Sequence, residues 1–448
     1  MGRLICLSNR IPTGANPSGG LVVALGDVLS ETGGVWIGTS GEIAEQPGTE
    51  LREIEGGPFK RLCFDLTEEE HALYYDGYSN SVLWPLFHGR TDLMQIQQDY
   101  LDSYKHVNRR LAKMLAPILQ PDDRIWVHDF HFLPLAYELR VMGVQNPFGF
   151  FLHTPFPGPT TMRALPNGRE ICEWLSNFDL IGLQSERDVR ACLASMVEIG
   201  GGSDLGSGFV HLSPRQCRIA AFPISIDAGE FKTLAEREIE KLPAGIVKAN
   251  RSLMIGVDRL DYSKGVPQRF RAFGEFLDRH EDWHRHVSLI QISPPTREGV
   301  PAYDDIREET EHLSGRINGQ FADIQWAPIR FINRPVPRAV LAGLYRASQV
   351  GLVTPLMDGM NLVAKEYIAA QNPENPGVLI LSKFAGAAEQ MEEALIVNPH
   401  DTEQMATSML TALLMSLSER RERYHALMKG LTTHDVHWWS KAFLTALG

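Results

Sequence analysis

Residues 353–367 read VTPLMDGMNLVAKEY and hold an acid near each end of a strand-to-helix turn. Asp358 and Glu366 enclose seven residues, which puts one carboxylate on the turn and the other about two turns up the helix that follows. Two acceptor-only groups so placed can grip sugar hydroxyls. The run Val350-Gly351-Leu352-Val353 has the composition of a strand buried on both faces, and Asp358-Gly359 breaks it. From Asn361 onward a helix is expected, and its first-turn N–H groups, at the positive end of the dipole, suit a diphosphate. An isolated pair of this spacing is more often a turn aspartate and a solvated glutamate. The strand-turn-helix setting favours the functional reading.

Arg259 and Lys264 lie five apart after a strand expected at 253–257, and Gly265 ends their loop. A reaction that expels an anionic group must stabilise growing negative charge. One cation about 4 Å away is worth on the order of 4 kcal/mol at an effective dielectric near 20. Asp258 and Asp261 flank these cations, and ordinary surface ion pairs are the plainer alternative. Asp129 and His153 close strands expected at 125–127 and 148–152, at the carboxyl ends where open α/β sheets bind ligands.

Taken together these segments resemble the trehalose-6-phosphate synthase family of retaining, nucleotide-sugar-dependent glycosyltransferases with two Rossmann domains (GT-B). DGMNLVAKEY carries the likeness first. It extends through Ser8-Asn9-Arg10, Gly19-Gly20-Leu21, Leu83-Trp84-Pro85, His128-Asp129-Phe130-His131, Phe151-Leu152-His153, the run from Asp258 to Gly265, and Phe384-Ala385-Gly386-Ala387-Ala388. The resemblance implies that Arg259 and Lys264 hold the donor diphosphate with the backbone of Gly359, Met360, Asn361, Leu362 and Val363. It makes Glu366 the ribose ligand, Asp358 and His153 donor-sugar ligands, and Asp129 an acceptor-sugar contact near the reaction centre. Gly20, with Gly19, falls on a loop near the diphosphate. Arg10, Tyr75, Trp84 and Arg297 become the acceptor-phosphate and sugar candidates, since an arginine fork grips phosphate bidentately and a ring covers a sugar face. No metal or other cofactor is implied.

Strand-like runs alternate with helical patterns along the chain, as in parallel sheets covered by helices. One series is expected at 4–7, 35–37, 125–127, 148–152, 180–183 and 218–221, and a second at 253–257, 287–292, 329–332, 350–353, 378–381 and 394–397. The fold class is therefore α/β, two Rossmann-like domains facing a cleft: residues 1–225 on the acceptor side and 226–429 binding the nucleotide sugar. Pro223 marks the junction. A helix is expected over 92–115, with Leu93, Ile96, Tyr100, Tyr104, Val107, Leu111 and Met114 on one inward stripe. Residues 200–208, GGGSDLGSG, read as a surface loop. A terminal helix at 436–447 is apolar enough to dock, and the resemblance returns 430–448 to the first domain.

At 448 residues, two domains are the natural division. A hydrophobic fraction of 44 % with 22 % charged residues describes a globular chain, and its net charge of -12 with no basic run argues against nucleic acid or anionic membrane as a partner. No apolar run approaches the ~18–20 residues needed to cross a bilayer. Five scattered cysteines without a C-x-x-C pair fit reduced thiols in a cytoplasmic protein. The expected partners are a nucleotide-glucose and a sugar phosphate. A homo-oligomer stays open, and with no phosphatase domain in the chain, the product needs a separate phosphatase.

Three places depart from the family pattern, all on the acceptor side. Thr39 stands after Trp36-Ile37-Gly38 where a second tryptophan is expected, residues 158–162 (GPTTM) lack an expected glutamate and phenylalanine, and the loop between Arg10 and Gly19 is short. The donor base, UDP, ADP or GDP, is unassigned, with UDP preferred. Glucose 6-phosphate is the expected acceptor; glycerol 3-phosphate or a cyclitol phosphate is the alternative, as is a non-catalytic homologue that senses sugar phosphates.

Overall fold

A computed structural model describes residues 2–12, 20–243, 245, 251–297 and 300–448. They fall into two compact units, Met1–Pro223 with Trp439–Gly448, and Ile224–Trp438.

The first unit is built on β1 (Leu4–Arg10), β2 (Val35–Ala44), β3 (Arg52–Ile54), β4 (Lys60–Thr67), β5 (Arg124–His128), β6 (Phe148–Phe151), β7 (Leu180–Leu183), β8 (Ser203–Gly206), β9 (Phe209–Leu212) and β10 (Arg215–Ala221). Their order is β3-β4-β2-β1-β5-β6-β7-β10-β9-β8. Every neighbouring pair from β4 to β10 is parallel, and the edges are antiparallel. Part of the glycine-rich stretch 200–208, expected as loop, forms β8 against β9. Its residues are exposed throughout, so no inward alternation marked it in the sequence.

The expected helix over 92–115 begins later, at Gln98, and runs to Leu115; Thr91–Leu93 is a separate turn. Tyr104, Val107, Leu111 and Met114 are buried as the stripe requires, whereas Ile96 lies outside the helix and is exposed. Of the terminal helix Val436–Leu447, the part from Trp439 belongs to the first unit. Phe443 stacks on Trp126 with centroids 4.6 Å apart. Gly149 and Gly182 make room for it, since a Cβ at either would come within 2.7 Å of its ring. An aromatic side chain that buries on the order of 200 Å² gains about 5 kcal/mol at about 25 cal/mol per Å², before entropy.

The second unit has β11 (Ser252–Val257), β12 (Val287–Ile292), β13 (Ile329–Ile332), β14 (Val350–Val353), β15 (Val378–Ser382) and β16 (Leu395–Val397). They form an all-parallel sheet in the order β13-β12-β11-β14-β15-β16, the doubly wound arrangement whose direction reverses between β11 and β14. Helix Val266–Arg279 covers it with Phe270, Phe273 and Phe276 in the core. Among the described residues, no helix is long and apolar enough to cross a membrane, and all five cysteines are buried free thiols.

Candidate active site

The loops leaving β11 and β14 lie on either side of the reversal point of the second sheet, the place where open α/β sheets bind ligands. The first carries Arg259 and Lys264, and the second carries Asp358 through Asn361 into helix Leu362–Ala370. Lys264 Nζ donates to Asp358 Oδ2 at 2.6 Å, and Asn361 Nδ2 donates to the same oxygen at 3.0 Å. The Lys264 and Asp358 side chains are 12 % and 13 % exposed. In such a nearly dry place a phosphate, with more acceptor oxygens than one carboxylate, competes well for the ammonium.

The turn itself is fixed from two sides. Leu356 and Met357 donate their N–H groups to Ser263 O, at 2.7 and 3.3 Å. From the other side the 384–388 motif closes on it: Asp358 N–H donates to Phe384 O, Gly386 N–H to Asp358 O and Ala387 N–H to Met360 O, at 3.2, 3.1 and 2.9 Å. Gly386 is required there, because a Cβ would lie 1.8 Å from Gly359 O. Asn361, at φ 74°, takes the left-handed conformation that asparagine tolerates better than most residues. Its side chain does not cap the helix, so the first-turn amides of Leu362 and Val363 remain suited to an anion.

Glu366 points from the same helix with 15 % of its side chain exposed. Burial pushes its carboxyl up to about 7, and Arg338, 4.0 Å away, pulls it back. The adjacent Lys365 anchors the helix from within: its ammonium donates to Ile224 O at 2.7 Å and Gln390 Oε1 at 2.8 Å, and burial brings it down to about 7. Arg259 is exposed, with Nη1 3.5 Å from Thr296 Oγ1.

Arg297 also lies in this second unit, whereas the other acceptor candidates lie in the first. At φ 49° it donates to Asp261 Oδ2 at 2.9 Å and to Tyr303 OH at 2.7 Å.

In the first unit the sharpest feature is Asp129, which leaves β5 at φ 69°, ψ 169°, a region almost reserved for glycine and costing on the order of 1–3 kcal/mol elsewhere. Its neighbours over-determine that conformation. Asp129 N–H donates to Phe151 O at 2.7 Å. Tyr104 OH donates to Phe130 O at 2.5 Å; Asn108 Nδ2 and Tyr74 OH donate to His131 O at 3.2 and 3.4 Å. Tyr104 and Asn108 come from the buried stripe of helix Gln98–Leu115, and Tyr74 comes from the π-helix His71–Leu83. Burial raises both phenols well above their ordinary range, which keeps them donors. Tyr75 stacks on His131 at 5.9 Å, and Trp84 packs against Phe130 at 6.1 Å and His88 at 4.1 Å. Both rings therefore rest on the turn that Asp129 opens.

His153 closes the same region, its N–H donating to Asp129 Oδ1 at 3.4 Å. Its Nε2 is 3.1 Å from His128 Nδ1, and its Nδ1 is 3.4 Å from Gln184 Nε2. Burial lowers His153 to about 3 and His128 well below its usual value, so both rings are neutral. Which nitrogen of each ring carries the proton follows from the orientation of the Gln184 amide.

Arg10 is exposed at the end of β1 and paired in register with Thr39. A side chain on Gly41 would meet its guanidinium at 2.6 Å. Thr39 is 5 % exposed and donates to Asn9 O at 2.6 Å. Gly20 opens helix Gly20–Thr32; Gly19 and most of the short loop before it lie outside the described residues.

Sequence reasoning gave His128 no role of its own within its motif and passed over Gln184, Arg338 and Tyr303. It also missed Arg269, buried beneath Asp258, although an arginine three after Val266 on an apolar helix face was a usable signal. Among the described residues, no cluster of histidine, cysteine or carboxylate side chains suits a metal.

Two cations and a helix N-terminus at the reversal point of one parallel sheet, in a chain with a second largely parallel sheet, are the parts that a nucleotide-sugar glycosyltransferase of the two-Rossmann-domain class requires. Known proteins agree. The Glycosyltransferase family 20 model matches residues 8–448, and the chain belongs to that family. It is 43 % identical to a trehalose-6-phosphate synthase of Klebsiella pneumoniae, over 100 % of this chain and 95 % of the relative. A crystal structure of an alpha,alpha-trehalose-phosphate synthase (UDP-forming) from Burkholderia xenovorans in complex with glucose-6-phosphate superimposes with TM-score 0.96 at 45 % identity, covering both chains fully. An E. coli structure bound with UDP-2-fluoro glucose gives TM-score 0.95 at 42 % identity, over 100 % of this chain and 99 % of the other.

Proposed function

We propose that this chain transfers glucose from UDP-glucose to glucose 6-phosphate with retention of anomeric configuration, giving α,α-trehalose 6-phosphate and UDP. One observation carries the reading: Lys264, Asp358 and Asn361 converge at the head of an uncapped helix, in a chain that aligns end to end with relatives bound to glucose-6-phosphate and to UDP-2-fluoro glucose. Arg259, Lys264 and the amides of Leu362 and Val363 take the departing diphosphate. Glu366 takes the ribose, and Asp358 and His153 take the glucosyl hydroxyls, His153 by exchanging its His128 partner. Asp129 orients the acceptor hydroxyl, Arg10 and Arg297 hold its phosphate, and Tyr75 and Trp84 wall the sugar.

Among the described residues no side chain stands out as a nucleophile, so attack comes from the face the diphosphate leaves, and a diphosphate oxygen takes the acceptor proton. Positioning and electrostatics then supply most of the acceleration. Two cations and a helix terminus supply the charge that a metal supplies elsewhere, so turnover needs no resident ion. A reducing cytoplasm suits the five buried free thiols.

The test is an acceptor panel with UDP-glucose, reading UDP release. Glucose 6-phosphate supports release and free glucose does not. Thr39, small and buried where a large ring is expected, favours a second reading, a sister synthase with another phosphorylated polyol. Release with glycerol 3-phosphate or a cyclitol phosphate but not with glucose 6-phosphate makes that reading the function. No release with any acceptor, alongside tight sugar-phosphate binding, makes the chain a sensor.

A further inference from the structure

Arg269 is fully buried in helix Val266–Arg279, on the face turned to the sheet. Its Nη1 donates to Asp258 Oδ2 and to Gln291 Oε1, both at 2.8 Å, and its Nε donates to Thr354 Oγ1 at 3.0 Å. These three partners sit on three adjacent strands or their ends: Asp258 follows β11, Gln291 lies in β12, and Thr354 follows β14. The loops after those same strands carry Arg259 and Lys264, Arg297, and Asp358 to Asn361.

The sheet is shaped to admit this cation. A Cβ on Gly256 would lie 2.3 Å from Gln291 Oε1 and 2.5 Å from Arg269 Nη1, so the glycine in β11 makes room for the group. Gln291 Nε2 donates onward to Ser293 Oγ at 3.0 Å, which aims its oxygen at the arginine. A buried ion pair is weak evidence for stability, because taking both charges out of water offsets most of their attraction. Placing it under the ligand-binding end of the sheet is better explained by geometry. Electrostatics adds a second reason. Burial raises the Asp258 carboxyl, and Arg269 followed by Lys264 pulls it back toward ionisation, so without Arg269 an uncompensated carboxylate would draw on the Lys264 charge.

We propose that Arg269 is a positioning residue for the leaving-group site, holding the loops after β11, β12 and β14 in the register that lets Arg259, Lys264 and the Asn361 turn meet one diphosphate. This role rests on the donor reading above. It touches no substrate.

Thr354→Val, Gln291→Met and Arg269→Lys each remove part of the fork while keeping shape or charge. For each, UDP affinity is measured by calorimetry, kcat and both KM values by UDP release, and folding by circular dichroism and thermal midpoint. The expected result is folded protein with UDP bound about tenfold more weakly and kcat down by as much as about a hundredfold, since a misplacement near 1 Å costs that much. The glucose 6-phosphate KM is little changed in Thr354→Val and raised in Gln291→Met, whose strand leads to Arg297. Arg269→Lys, which keeps the charge, outperforms Arg269→Met in UDP affinity. Folded variants with wild-type UDP affinity and kcat, whatever their midpoint, overturn the role and leave Arg269 a stability residue. A wild-type protein that binds no UDP overturns the donor reading, and this role with it.

Discussion

The two units hold their site residues by different physics. In the second, charged groups secure one another: Lys264 with Asp358 and Asn361, Arg297 with Asp261 and Tyr303, Arg269 with Asp258. In the first, the polar candidates are set by packing and strained backbone: Asp129 in a glycine-like conformation, Tyr75 and Trp84 against its turn, His153 in a neutral ring chain. The difference follows the ligand chemistry proposed for each. A diphosphate leaving group needs concentrated positive charge that is stored safely, and ion pairs do that. A sugar ring needs oriented hydrogen bonds and flat surfaces, which packing supplies, and in the first unit only the phosphate of the proposed acceptor calls on a charge, that of Arg10.

The largest effect that can break this contrast is expected at the two cations proposed for the diphosphate. Lys264→Ala or Arg259→Ala lowers kcat by roughly 10²–10³ while the fold persists, because each acts on charge that develops in the transition state. Near-normal turnover in either folded variant, measured by UDP release, means the second unit is not charge-based as described. Next comes Asp129→Gly, which separates strain from function. Relieving a conformation that costs on the order of 1–3 kcal/mol raises the thermal midpoint, while losing the carboxylate cuts kcat by about a hundredfold or more. An unchanged midpoint would remove strain from the account of the first unit.

A smaller effect is expected at Arg297→Ala, which raises the glucose 6-phosphate KM about tenfold or more and leaves the UDP-glucose KM nearly unchanged. The opposite split would make Arg297 a donor residue, in keeping with its unit. Smaller still is a pH effect from Glu366. Its carboxyl, pushed up to about 7, is protonated below that value and becomes a two-oxygen acceptor above it. Donor affinity therefore improves as pH rises from about 6 toward 8, and Glu366→Gln flattens the profile. Least of all is expected from chelation: dialysis against EDTA leaves kcat intact, and recovery only on adding magnesium would contradict that.

What could be read in the sequence depended on how local the signal is. Buried parallel strands announce themselves as short apolar runs, so β7, β12 and β14 match their expected bounds residue for residue, and the half-exposed edge strand β13 matches its bounds as well. The turn at Asp358-Gly359 and the helix after Asn361 were legible because turn residues and helix starts are decided within a few positions. The exposed strand β8 was not, since nothing about Ser203–Gly206 alternates. Helix Gln98–Leu115 was placed by its stripe but given an early start, because Leu93 and Ile96 fit the period without joining the helix.

The sequence by itself determined the alternation of strand and helix, the two series, and the residue types able to bind a diphosphate and a sugar phosphate. Only the tertiary structure decided which of them meet. That Lys264 reaches Asp358 across 94 positions, that Arg269 joins three strands, and that Arg297 pairs with Asp261 are consequences of strand order, which no local pattern encodes. The strain at Asp129 is of the same kind. It exists because Tyr74, Tyr104 and Asn108, from two separate helices, close on one turn, and a conformation imposed by distant neighbours leaves no trace in the residue that bears it.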